Sequence, residues 1–304
     1  MNQPWPPPLR RGDPVRLAAA SSSLAGAGAA ERLTAGAALL REWGLELEPS
    51  ELERVLQRRW GYLAGRDGER AADLTEGPGL LACVRGGWGA ARLLEQPLHL
   101  SSGWLLGFSD VTSLLWAQLA QGKRGGIHGP LLTTLAAEPA WSQERLRALL
   151  FGEPLPPLQG KGWRGGVAEG PLLAANLTVA THLLGTPHLP ELRGAILVLE
   201  EVGEVPYRID RMLTHWRLCG ALGQLGGLAF GSFQGCEEEP GQQENGDAAE
   251  RFSLREVLRE RSLDLGIPVV ADLPVGHAPG NAALPLGAWA RLDGDRGCLE
   301  VRQP

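Results

Sequence analysis

A short apolar run, Trp104-Leu105-Leu106, meets a helical stretch, Ser113 to Leu119, across only six residues, Gly107-Phe108-Ser109-Asp110-Val111-Thr112. A strand that turns into a helix so abruptly is a unit of α/β architecture. The pattern recurs. Residues 15–20 read as a first strand ending at Ser21-Ser22-Ser23, and residues 28–43 carry helical spacing through Leu33, Ala37, Leu40 and Trp43. Residues 45–48 alternate like a strand and residues 69–74 resemble a helix. The apolar strand Leu80-Leu81-Ala82-Cys83-Val84 runs into the turn Arg85-Gly86-Gly87-Trp88-Gly89, with a helix expected from about Ala90. Strands alternating with helices predict a parallel sheet covered on its faces.

Two readings of the six-residue turn stand side by side. Ser and Asp are good helix caps. A serine on a sharp strand-to-helix turn is also how a hydrolase presents a nucleophile, with the next backbone N–H free to bind an anion. The usual elbow has a glycine two residues after the serine, and Val111 stands there instead.

The 304 residues, 43% of them hydrophobic, suffice for one large or two moderate domains. Residues 1–11 read as a proline-rich, poorly ordered tail. Prolines and glycines crowd residues 151–166, which read as a linker, dividing the chain into units at 12–150 and 167–304. In the second unit, residues 196–199, 228–230 and 268–271 read as strands, and 210–219 and 253–261 as helices. Residues 234–250 read as an exposed acidic loop. A net charge of −6 without a basic run argues against a nucleic-acid surface. Cys83, Cys219, Cys236 and Cys298 are far apart, which suits free thiols in a reducing compartment. The N-terminal residues lack an apolar signal core, and no stretch approaches the roughly 20 apolar residues of a membrane span. A soluble, cytoplasmic protein is expected. No histidine pair has metal-ligand spacing on a helix, and neither a dinucleotide nor a phosphate loop is complete, so no metal or cofactor is expected.

A serine nucleophile needs a base and an orienting carboxylate. His277 lies in a glycine- and proline-rich turn just after a predicted strand, where α/β proteins place site residues; His128 competes with it. Glu200 ends the apolar run Ile196-Leu197-Val198-Leu199, while Glu201, Glu204, Asp110 and Asp210 remain alternatives. The glycines of residues 85–89 would let a backbone N–H approach a substrate oxygen closely, or simply form a tight turn.

Several ordered blocks carry a family resemblance. They are Gly12-Asp13-Pro14, Gly61-Tyr62-Leu63-Ala64-Gly65, Arg70-Ala71-Ala72-Asp73-Leu74, Val84 to Ala90, and Gly107 to Thr112. His128-Gly129-Pro130, Leu197 to Glu201, Pro206 to Leu213, Gly231-Ser232-Phe233, Gly276-His277 and Leu284 to Gly287 follow in order. Over nearly all of residues 12–287 the chain resembles the LD-carboxypeptidases, serine peptidases that include the microcin C immunity hydrolases. The resemblance implies an N-terminal flavodoxin-like parallel-sheet domain and a smaller C-terminal α/β domain with the active site between them. It implies Ser109 as nucleophile, Glu200 and His277 as triad acid and base, and the backbone N–H groups of Gly87 and Asp110 as oxyanion hole. It also implies a homodimer that releases terminal D-alanine from cytoplasmic muropeptides without a metal. Arg85, Trp88, Arg208 and Arg211 are the candidate substrate-binding residues. The alternatives are hydrolysis of peptidyl or aminoacyl nucleotide analogues and a catalytically silent peptide-binding module. Trp88 replaces the family's usual tyrosine, and Ala174-Ala175 its usual glycine pair. Both departures bear on the substrate rather than on the chemistry.

Overall fold

A computed structural model describes residues 4–75, 77–100, 102–237 and 252–304. From residue 238 onward the expected acidic loop lies outside the described residues. Among the described residues the strands are β1 (Val15–Ala18), β2 (Leu80–Cys83), β3 (Trp104–Gly107), β4 (Gly126–His128), β5 (Leu158–Gln159), β6 (Lys161–Arg164), β7 (Val167–Asn176), β8 (Ile196–Val202), β9 (Gly227–Gln234), β10 (Val269–Ala271), β11 (Leu284–Pro285), β12 (Trp289–Asp293) and β13 (Cys298–Val301).

They form two sheets, ordered β1-β2-β3-β4-β11 and β5-β13-β12-β7-β8-β9-β10-β6. In the first, β1 to β4 are parallel and β11 closes the edge antiparallel. The strand expected at residues 45–48 is a single parallel bridge, Pro14 to Glu46, on the free side of β1. Counting that bridge and leaving out the antiparallel edge strand β11, the order of the parallel strands is 2-1-3-4-5, which is flavodoxin-like. The order reverses beside β1, so a crevice opens beyond the strand ends there.

β2, β3 and the first six residues of β8 are buried throughout. Strands covered on both faces read as continuous apolar runs, which is why they were legible. The helix Thr112–Ala120 is buried on all sides from Thr112 to Gln118. It packs between the sheets: Trp116 donates its indole N–H to the Ala174 carbonyl (3.0 Å) and meets the Trp216 ring edge-on at 6.3 Å. One core thus joins the two halves.

Several expectations are corrected. Residues 4–11 are docked: Leu9 is buried and bonds Leu150, and the Trp104 indole donates to the Pro7 carbonyl. The linker expected over 151–166 contains β5 and β6, which pair into the second sheet. The connection is therefore only 151–157, and β11 returns from the later half to the first sheet. The helix expected from Ala90 is a 3-10 turn, Ala91–Glu95. Among the described residues no helix is long and apolar enough to cross a membrane.

Candidate active site

Ser109 opens the turn after β3 with φ 61, a left-handed backbone that costs a non-glycine residue about 1–3 kcal/mol. Neither the 3-10 turn Ser109–Val111 nor the helix Thr112–Ala120 receives a side-chain cap. The capping reading therefore fails, and the strain points the hydroxyl out of the fold. The turn is pinned where the Asn176 amide of β7 donates to Thr112 Oγ1 at 3.2 Å.

Glu200 lies on β8 at a β-bulge, where pairing with β9 slips between Leu199 and Glu201. Bulges re-aim side chains next to sites. Glu200 is fully buried. Burial pushes its carboxyl up, against the opposing pull of His277. Its neighbour Glu201 faces away and accepts from the Asn176 side chain and the Thr178 and Val202 amides. Asp210 pairs with Arg261.

His277 sits in the loop after β10. Gly276 before it has φ 120, and a Cβ there would lie 2.8 Å from the Glu200 Cβ, so only glycine brings the loop this close. The loop is held from within, where the Gly276 amide donates to Asn281 Oδ1 (2.9 Å), and from outside, where the Gly280 and Asn281 amides donate to Glu138 Oε2 (2.7 and 3.0 Å). Sequence reading missed Glu138; nothing local marks an acid that meets its partners some 140 positions downstream.

His277 Nδ1 lies 2.6 Å from Glu200 Oε2, and Nε2 lies 3.2 Å from Ser109 Oγ. A carboxylate only accepts, so Nδ1–H donates to it and Nε2 is left to accept the Ser109 proton. The Phe108 ring packs on His277 at 4.7 Å. The competitor His128 is fully buried behind Phe108, and neither of its ring nitrogens has a partner among the described residues.

Burial, and then His277, push His128 down to about 3. In the unfolded chain a histidine titrates near its model value of 6.5. Between those values the unfolded chain takes up a proton that the fold refuses, so stability falls as pH drops from 6.5 toward 3. His128→Leu is expected to flatten the fall of Tm over that window. A wild-type slope in the variant would contradict this.

Ser109 and His277 open into a cavity of about 510 Å³ whose walls include Arg32, Arg85, Gly87, Thr133 and Glu138. Arg85 is held by the Ser23 and Gly86 carbonyls. Arg208 and Arg211 lie elsewhere, on the helix Pro206–Leu218: Arg208 reaches Glu204 at 3.4 Å, and both guanidinium groups lie over the Tyr207 ring. Trp88 is half-exposed outside the cavity, its amide donating to Ser22 Oγ (3.0 Å).

Glu200, His277 and Ser109 thus stand in one hydrogen-bonded line, the arrangement that serine hydrolases use. The LD-carboxypeptidase N-terminal domain matches residues 15–129 and its C-terminal domain residues 169–292, so the chain belongs to the LD-carboxypeptidase family. A Synechocystis protein is 47% identical over 97% of this chain and 96% of its own length. The murein tetrapeptide carboxypeptidase of Pseudomonas aeruginosa is 34% identical over 85% of this chain and 88% of its own. The crystal structure of muramoyltetrapeptide carboxypeptidase from Oxalobacter formigenes covers 95% of this chain and 97% of its own at TM-score 0.79 and 24% identity. The microcin C7 self immunity protein MccF, in complex with aspartyl sulfamoyl adenosine, covers 99% of each chain at TM-score 0.81 and 19% identity. These two structural likenesses show the shared fold.

Proposed function

We propose that the chain removes the terminal D-alanine from cytoplasmic peptidoglycan tetrapeptides through a Ser109–His277–Glu200 triad. The observation that carries this reading is the 2.6 and 3.2 Å relay ending on a serine with φ 61. As Ser109 Oγ attacks the scissile carbonyl, Nε2 of His277 takes its proton. Glu200 holds the imidazole in the required tautomer and stabilises its charged form. The amides of Gly87 and Asp110 receive the oxyanion. His277 then protonates the leaving nitrogen, D-alanine departs, and water releases the peptide from Ser109. The relatives that share both domains favour a peptide substrate.

A substrate that ends in a free carboxylate needs a cation near the reacting carbonyl. Arg85 is the one of the three arginines proposed for this that borders the Ser109 cavity. A charge-assisted hydrogen bond is worth about 1.5–3 kcal/mol, or about 10- to 100-fold. Arg85→Met is therefore expected to lower kcat/KM on the free-acid tetrapeptide by that factor, mainly through KM, and to spare its C-terminal amide. Arg211→Met should change neither. Equal losses on acid and amide would reject the assignment.

The reading itself is tested by incubating the protein with a tetrapeptide and, separately, with an aminoacyl sulfamoyl adenosine. D-alanine detected by mass spectrometry supports it. Cleavage of the nucleotide analogue alone would move the protein to the immunity-type activity, and binding of peptide without cleavage to a silent module.

A further inference from the structure

Two amides that serve one oxygen must be held in register, yet those of Gly87 and Asp110 follow different strands, β2 and β3. The turns they occupy touch: a Cβ on Gly86 would fall 3.0 Å from Ser109 Oγ and 3.6 Å from the Asp110 nitrogen. The Asp110 side chain plays no part in the proton relay. It is 2% exposed, and burial pushes its carboxyl up. Instead of capping its own helix it reaches across to the neighbouring turn, where Oδ2 accepts the Ala90 amide at 2.8 Å. Other ties to that turn come from elsewhere. Ser22 beyond β1 accepts the Trp88 amide, and Arg70 donates to the Gly89 carbonyl at 2.8 Å. Asp110 joins the turn to the elbow itself.

We infer that the Asp110 carboxylate is a positioning residue that locks the glycine turn onto the serine elbow, so that its own backbone amide and that of Gly87 face one point. The inference rests on reading Ser109 as nucleophile and these amides as the oxyanion hole. A carboxylate suits the task because it accepts more strongly than any neutral side chain. The Ala90 amide it holds lies three residues after Gly87 in the same turn, so slackening at Ala90 carries back to the donor.

The test compares wild type, Asp110→Ala and Asp110→Asn on the tetrapeptide and against a phosphonate analogue with tetrahedral geometry at the scissile position. Loss of one oxyanion donor costs about 10²- to 10³-fold. Asp110→Ala is expected to lose about 10²-fold in kcat with KM within twofold, and to lose phosphonate affinity in proportion. Asp110→Asn keeps an accepting oxygen and should recover part of both. Inhibition by the tripeptide product should stay unchanged. A wild-type kcat in Asp110→Ala, or a loss of kcat without a matching loss of phosphonate affinity, would overturn the assignment while leaving the triad standing. An inert wild type would overturn the reading of the site and this inference with it.

Discussion

Ser109→Ala is expected to lower kcat by about 10⁴- to 10⁶-fold while leaving the fold intact, because a triad fails as a unit once its nucleophile is gone. What remains is the contribution of substrate positioning and the oxyanion donors. The same position carries a stability signature. Ser109 has φ 61 and receives no compensating cap, so the strain persists in the alanine variant. Ser109→Gly removes it and should raise unfolding free energy by about 1 kcal/mol in denaturant titration. Inactivity together with higher stability is the mark of a site that stores strain for chemistry. Turnover within tenfold of wild type in Ser109→Ala would end the nucleophile assignment.

Glu200→Gln is expected to cost about 10³- to 10⁴-fold in kcat with little change in KM. The amide keeps the shape but presents no negative charge to the imidazolium and does not fix its tautomer. Stability should move the other way. Glu200 is fully buried, its Oε1 has no partner among the described residues, and its pKa is raised in the fold. A raised folded-state pKa favours the fold only while the carboxyl is protonated, so that contribution is lost as pH rises above the unfolded value. A buried carboxylate that must ionise costs stability, and the uncharged glutamine amide carries no such cost. Tm of Glu200→Gln at pH 7 should therefore equal or exceed that of wild type. A marked fall in Tm would mean that the ion pair holds the crevice together.

In the first sheet β2 and β3 were legible as short, continuous apolar runs with glycine-bearing turns behind them, whereas the two- and three-residue strands β11 and β4 were too short to show a pattern. For the relay residues, spacing alone left alternatives to Glu200 and His277 open; Ser109 and His277 follow β3 and β10, whereas Glu200 lies inside β8 at its bulge. Other parts were hidden for physical reasons. β5 and β6 lie in a segment whose prolines and glycines mimic a linker, and they become strands only through partners late in the chain. The hairpin of β12 and β13 left no clear signature in its mixed sequence. Val111 in place of glycine left the elbow reading open beside the helix-cap reading, and the left-handed backbone of Ser109 is a property spacing does not reveal. Glu138, Ser22 and Arg70 shape the site through hydrogen bonds to distant backbone, and sequence spacing carries no trace of such bonds.

The decisive measurement is a quenched-flow reaction of the intact protein with tetrapeptide, read by mass spectrometry. The account predicts one D-alanine released per turnover, together with a transient acyl adduct located on Ser109 and absent from Ser109→Ala. D-alanine released at an undiminished rate by Ser109→Ala would contradict it.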